Sequence, residues 1–334
     1  MQDARAKGLA AWAKAIDAQI PPNAELETIS DDASFRRYFR FSGLEQALIF
    51  VDSPPKQEDN ESFLKVSAAL IAAGLNAPKV FSANLEHGYL MIADLGDELF
   101  LERITRRPEN ARRLYADAVN AIIRMQEIRC DLPIYDEPKL QSEMNLFHEW
   151  FLAQQLQVDL STELKSLLKE VYRLLIDSAL QQPSCFVHRD YHCRNLIVPS
   201  GNSPGIIDFQ DAVNGPITYD LVSLYKDCYH RFDRHTVVDA VSDFHNKKIS
   251  GGLLSVDVPI MKWFDLMGAQ RHLKCVGIFS RLNLRDGKPR YLADIPLVVD
   301  YLIEVSCLYA ELADFGDWLK LDIQPRLKGH EFRR

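Results

Sequence analysis

The 334-residue sequence has no C-x-x-C pair; its six cysteines, Cys130, Cys185, Cys193, Cys228, Cys275 and Cys307, are scattered. A disulfide framework is therefore not expected in so long a chain, and reduced thiols point to a cytoplasmic home. No uninterrupted apolar run approaches the roughly 18 residues that a spanning helix needs, so no membrane partner is expected. Residues 1–20 make a poor export signal, because Lys14 and Asp17 break their apolar stretch. Positive charge is not in excess either: 39 Lys and Arg face 47 Asp and Glu, a formal net charge of -8. That balance argues against binding nucleic-acid backbones, although a local basic pocket can sit on an acidic protein. Internal repeats, low-complexity tracts and a G-x-G-x-x-G loop are also missing.

What is present is an ordinary globular composition, 47% hydrophobic and 26% charged. The length allows about two domains. Leu9, Trp12, Ala13 and Ile16 recur at helical spacing and predict a first helix that ends at Pro21–Pro22. Phe35 to Phe41 and Leu48 to Val51, either side of Ser42–Gly43, predict two or three antiparallel strands. Phe63, Val66, Leu70 and Ile71 share one face of a helix over 59–73, stopped by Gly74. Strands at 79–82 and 89–93 flank a turn at Glu86–Gly88. Helices are expected over 109–129, 141–157 and 161–181, then short strands near 185–187, 195–198 and 205–208. From 218 onward the chain reads mostly helical, with a loop between Pro289 and Pro296. The reading is an α+β chain. Residues 1–93 form a small β-rich domain, and residues 94–334 a mostly helical one.

The chemistry concentrates in FVHRDYHCRNLIV at 186–198 and GIIDFQD at 205–211. His188, Arg189, Asp190 and Asn195 spell H-R-D-x-x-x-x-N, and Asp208 opens D-F-Q. This resembles the catalytic loop and metal-binding segment of protein kinases. Phosphoryl transfer needs a carboxylate to orient and deprotonate an acceptor hydroxyl, and cations to neutralise phosphate oxygens. Asp190 suits the first task, while Asn195 and Asp208 offer hard oxygen ligands to Mg²⁺. A zinc site from His188, Asp190, His192, Cys193 and Asp208 is the alternative, but no histidine pair has the spacing of zinc enzymes.

The loop, with GIIDFQDAVNGPITYDLVSL at 205–224, resembles the aminoglycoside phosphotransferase and choline kinase family. That resemblance implies a bilobal protein-kinase-like fold, with a small antiparallel sheet in the N-lobe and a mostly helical C-lobe, and ATP with Mg²⁺ as cofactors. SDDASFRRYFRF at 30–41, FVDSPP at 50–55 and QRHLKCVGIFSRLNLRDGKPRYLADIP at 270–296 are similar to a bacterial subgroup. Its members phosphorylate the anomeric C1 hydroxyl of N-acetylmuramate and N-acetylglucosamine in cell-wall recycling. By the resemblance, Asp190 and Arg194 are the catalytic candidates, and Asn195 and Asp208 the metal ligands. Ala33 and Ser34 would cover the phosphates, and the backbone of Ile92 and Ala93 would receive adenine. Asp220 would anchor the catalytic loop.

One departure stands out. Kinase-like folds carry a lysine on the third strand, paired with a helix glutamate. The corresponding strand, ALIFVDSPP, has none. Arg36, Arg37, Arg40 and Lys56 are the available cations; Arg37 and Arg40 are preferred for the nucleotide, with Glu61 as the helix glutamate. The acceptor pocket is expected to use His192, Arg194, Asp211, Asn214, Arg271 and Lys274, the last two suited to a lactyl carboxylate. A small-molecule sugar is the expected partner and a monomer the expected state. Two alternatives stay open: a kinase of cationic acceptors, for which Asp211, Asp227 and tyrosines 219, 225 and 229 speak, and a non-catalytic nucleotide-binding module.

Overall fold

The computed structural model describes residues 3–30, 35–43, 47–329 and 332. In chain order the main elements are α1 (Ala4–Ile16), β1 (Leu26–Ser30), β2 (Arg37–Phe41), β3 (Leu48–Asp52), α2 (Asn60–Ala72), β4 (Val80–Asn84), β5 (Tyr89–Ala93), α3 (Phe100–Arg106) and α4 (Ala111–Met125). There follow α5 (Glu137–Leu146), α6 (Thr162–Leu180), β6 (Ser184–Val187), β7 (Leu196–Ile197), β8 (Gly205–Ile206), β9 (Val213–Pro216), α7 (Tyr219–Tyr225), α8 (Arg234–Ser250), α9 (Ile260–Asp286), α10 (Ile295–Ser306) and α11 (Ala313–Trp318). The chain divides into two compact units, Met1–Cys130 with Arg194–Ala212, and Asp131–Cys193 with Val213–Arg334. The fold class is α+β as read: an antiparallel sheet first, helices after.

The first unit is built on a five-stranded antiparallel sheet of order β1-β2-β3-β5-β4. Strand side chains alternate between faces. Phe39, Phe41 and Phe50 fall on one face and pack with Leu9 and Ala13 of α1. Burying such side chains stabilises by roughly 1.5–3 kcal/mol each. The opposite parity of β2 carries Tyr38 and Arg40 to the other face. Helix α2 buries Phe63, Val66 and Leu70, and starts where the Asp59 carboxylate accepts the Ser62 amide at 3.0 Å. The β4–β5 turn needs its glycine. Gly88 has φ +73, its carbonyl accepts Ser53 N–H at 2.8 Å, and a Cβ there would lie 1.9 Å from the Ser53 oxygen. The small β7–β8 hairpin also belongs to this unit.

The second unit is organised around α9. Its 27 residues are buried on nearly all sides, by α5, α6, α7, α8 and α10. A helix this enclosed carries its polar residues inward only where they have partners. At Gly277 the α5–α9 approach leaves no room for a side chain; a Cβ would sit 2.4 Å from the Leu146 carbonyl carbon. Strand β6 pairs antiparallel with β9. The helix expected over 141–157 begins earlier, at Glu137, and widens to a π-helical stretch over Phe147–Gln155. The expected loop between Pro289 and Pro296 is corrected: Pro289–Asp294 is a 3-10 turn, and Pro296 lies in the first turn of α10, where its missing N–H leaves nothing unpaired.

Candidate active site

In the first unit, Asn195 and Asp208 meet because β7 and β8 pair. Leu196 lies opposite Ile206 and Ile197 opposite Gly205, so the residues flanking the hairpin are brought side by side. Ile207 donates to the Asn195 carbonyl at 3.2 Å. The Asn195 carboxamide donates to the Asp208 carboxylate at 3.0 Å, and Gln210 donates to its other oxygen at 2.8 Å. Asp208 has φ +63, an uncommon conformation that aspartate tolerates better than most residues. Phe209 beside it is buried and packs on Phe63 of α2, ring centroids 4.9 Å apart. With its carboxamide turned over, Asn195 would present an oxygen beside the Asp208 carboxylate and make the donor set oxygen-rich. It suits a hard cation that keeps waters and phosphate oxygens as further ligands. Among the described residues no group of three or more His, Cys, Asp or Glu is placed to hold a metal ion.

The other first-unit candidates fall as follows. Ala33 and Ser34 lie outside the described residues. Arg37 sits on the α1 face and is closed between Asp3 and the fully buried Asp52, donating to Asp52 Oδ2 from Nε at 3.1 Å. The Asp3 hydrogen bond raises the Arg37 guanidinium above its usual range. Arg40 donates to Asp94 at 2.6 Å and pairs with Asp97, just after β5. Ile92 is buried, and the Ala93 amide is committed to Lys79 O at 2.8 Å. Arg194 and Asp211 are exposed, and so is Glu61 in the first turn of α2.

In the second unit, the H-R-D loop is held from beneath by Asp220. Its carboxylate accepts the His188 amide at 2.8 Å and the Arg189 amide at 3.0 Å. Burial pushes the Asp220 carboxyl up to about 7, against the pull of those two amides. The loop bends at Arg189, whose φ is +79, and the Asp220 cradle offsets the cost of that conformation. The Arg189 side chain turns inward to Glu143 and lies over Tyr135, 5.8 Å from its ring centroid. Lys274 Nζ stands 3.6 Å from Glu143 and donates to Tyr219 at 3.2 Å. Tyr135 donates to Glu143 and accepts from Gln270 at 3.2 Å.

Asp190 emerges from this base into a small cavity with His192, Tyr229, Arg271, Lys274 and Phe279 on its walls. Burial pushes its carboxyl up, but Lys274, His192, Arg271 and Arg189 outweigh that and hold it at about 2. It is a carboxylate throughout the physiological range. Cys228 and Cys275 line the same cavity. A hydrogen bond from Cys228 draws the Cys275 thiol below its usual range, and Arg271 donates to that sulfur at 3.6 Å. Three of the sequence candidates, His192, Arg271 and Lys274, are thus gathered around Asp190. Asn214 is not; its carboxamide donates to Leu132 O at 3.4 Å. The sequence reading missed Glu143. It falls between Leu140 and Met144 on the buried face of α5, and a lone glutamate on such a face is a signal.

Residues 25–248 match the profile of a family described as the phosphotransferase enzyme family. The N-acetylmuramate/N-acetylglucosamine kinase of Pseudomonas aeruginosa is 42% identical over 308 residues, covering 90% of this chain and 89% of that protein. The protein of the same name from Neisseria meningitidis is 37% identical, covering 86% and 88%. Among solved structures, the ADP-bound aminoglycoside phosphotransferase APH(2'')-Ib aligns with a TM-score of 0.59 at 14% identity, over 89% of this chain and 98% of its own. The last likeness is one of fold.

Proposed function

This chain belongs to the phosphotransferase enzyme family, and from that premise we propose that it is an ATP-dependent kinase acting on the anomeric C1 hydroxyl of N-acetylmuramate and N-acetylglucosamine, within cell-wall recycling. The observation that carries the reading is the 42% identity to a kinase of that name along nine-tenths of the chain. The product is a sugar 1-phosphate.

In this reading Asp190 accepts a hydrogen bond from the acceptor hydroxyl and takes its proton. A carboxylate held at about 2 is a weak base. It suits a loose phosphoryl transfer, in which the nucleophile's proton leaves late and orientation matters more than early deprotonation. Arg194 would assist at the transferring group. Asn195 and Asp208 would hold Mg²⁺, which supplies charge neutralisation on the phosphates. His192 and Asp211 would contact acceptor hydroxyls, and Arg271 and Lys274 the lactyl carboxylate of N-acetylmuramate. The two buried cations beside Asp190 also weigh against a cationic acceptor such as an aminoglycoside or choline, which would meet like charge there. No helix among the described residues is long and apolar enough to cross a membrane. A cytoplasmic monomer taking a small sugar and no nucleic acid fits this reading.

The test is transfer from ATP with Mg²⁺ to N-acetylmuramate, N-acetylglucosamine, glucosamine, choline and kanamycin. Formation of a 1-phosphate from the N-acetylated sugars supports the reading. Turnover confined to the amines, or nucleotide binding without turnover on any acceptor, overturns it. Asp190→Asn should abolish transfer and leave ATP affinity within about threefold, since it removes charge at the acceptor and not at the donor.

A further inference from the structure

The strand lysine that kinase-like folds set against the donor phosphates is missing, and three arginines lie within five residues around β2. Their strand parity separates them. Arg37 shares its face with Phe39 and Phe41, under α1. Arg36 shares parity with Tyr38, on the side where α2 lies. Its guanidinium carbon stands 5.0 Å from the Phe63 ring centroid, and Phe63 in turn packs on Phe209, next to Asp208.

Arg36 is only 2% exposed. Its Nε donates to Ser53 Oγ at 3.0 Å, and Nη2 stands 3.2 Å from Glu58 Oε2. Ser53 is fixed by Asn60, the first residue of α2, whose carboxamide donates to Ser53 O at 3.0 Å. The cation is therefore positioned from three directions: by β2, by the 53–58 segment and by α2. Glu58 also accepts the Phe35 amide at 3.1 Å, which ties it to the segment leading into β2. Burying a guanidinium is costly, and a fold retains one readily where it binds an anion. The Phe63 ring, with Arg36 5.0 Å from its centroid and Phe209 4.9 Å away, links the guanidinium to the segment that carries Asp208.

We infer that Arg36, oriented by Glu58, is the cation that grips the donor's α- and β-phosphates in place of the missing strand lysine. The inference rests on the kinase reading above. Arg37 and Arg40 are occupied by Asp3, Asp52, Asp94 and Asp97 and serve to hold the sheet and the segment after β5. Glu58, from the segment before α2, takes the place that Glu61 was expected to fill. A guanidinium reaches farther than an ammonium and can hold two phosphate oxygens at once.

The experiment is calorimetric titration of the full-length protein with ATP, ADP, AMP and adenosine, with Mg²⁺ and again with EDTA. Arg36→Gln should weaken ATP and ADP by about ten- to a hundredfold and leave adenosine within about twofold. Arg36→Lys should recover part of the loss, because the charge returns without the fork. Glu58→Gln should weaken ATP several-fold with adenosine unchanged. A folded Arg36→Gln that binds ATP as wild type does overturns the inference. Equal losses for ATP and adenosine overturn it too, because they mean a merely structural arginine. Should Arg36→Gln not fold, Arg36→Lys and Glu58→Gln decide: unchanged ATP affinity in both refutes the assignment. If the wild type binds no nucleotide, the kinase reading itself falls; if it binds and transfers while Arg36→Gln does so equally well, only this inference does.

Discussion

Replacing Glu143 with glutamine removes one charge from the buried base of the H-R-D loop and almost no volume. In the wild type that carboxylate faces Lys274 at 3.6 Å, Arg189 at closer range, and the Tyr135 hydroxyl. At an effective dielectric of about 20, the Lys274 attraction alone is worth about 5 kcal/mol before desolvation is counted. Removing one partner from such a cluster leaves buried positive charge uncompensated, at a net cost of about 3 kcal/mol. For a chain of this length that lowers Tm by about 4 °C if the whole protein melts together, and by roughly twice that if the second unit melts alone. The assay is calorimetry of wild type and Glu143→Gln across pH. Burial raises the Glu143 carboxyl, but Lys274 and Arg189 bring it below its usual 4.5. A depressed folded pKa contributes stability that is present above the unfolded value and lost as pH falls through the folded one. The gap between the two proteins should therefore be full at pH 7 and shrink as the pH falls below the carboxyl's usual 4.5 and through its lowered folded value. A gap that persists unchanged into acid would mean that shape, not charge, sets it. A gap under about 1 °C at pH 7 would refute the electrostatic account altogether.

Lys274→Met keeps the length of the side chain and removes its charge. It should lower kcat/KM for N-acetylmuramate about tenfold relative to N-acetylglucosamine, and an unchanged ratio would remove Lys274 as the carboxylate partner. Gly277→Ala forces a methyl to within 2.4–2.6 Å of Leu146 backbone atoms; a loss of about 1–3 kcal/mol should appear as a lower denaturant midpoint with an unchanged slope. Because Asp190 titrates at about 2, its ionised form persists down to that range. The kcat profile should show no acid limb from this group above about pH 4, and a limb that disappears in an Asp190→Glu variant would contradict this.

The fold was legible wherever a local rule was sufficient. The period of α1, the stop at Gly74 and the tight turn at Gly88 follow from residue chemistry within a few positions. Two strands were not legible. LETIS of β1 follows a proline pair and alternates only weakly, and β9 is Val-Asn-Gly-Pro, a sequence that breaks strands elsewhere. It is extended because β6 offers it partners, with Val187 opposite Val213 and Ser184 opposite Pro216. The wide turns of Phe147–Gln155 could not be read either. A π-helix keeps the apolar composition of an α-helix, so periodicity over so short a stretch does not separate them. The assignment of Arg194–Ala212 to the same compact unit as the sheet is tertiary, and no composition shift marks it.

The site shows a sharper division. Asp190, Asn195 and Asp208 stood out because one short segment carries them in order, and the pairing of β7 with β8 closes the gap between the last two. The arginines around β2 did not sort themselves, because a string of similar cations gives no preference by type. Parity would have sorted part of it. Phe39 and Phe41 must face a core, so Arg37 shares their side, while Arg36 and Arg40 share the other. The remainder needed anions from distant sequence. Asp94 and Asp97 reach Arg40 from beyond β5, and Asp3 reaches Arg37 from the other end of α1. Glu58 and Ser53 then fix Arg36. A cation already closed between two carboxylates must give up both contacts to take a phosphate. Arg36 also has contacts to give up, with Glu58, Ser53 and Tyr38, and its claim on the donor comes from its place beside Phe63 and Phe209 rather than from fewer partners. In the inference drawn above, each arginine's place in the sheet and the neighbours around it, rather than the number of arginines, single out Arg36 for the triphosphate.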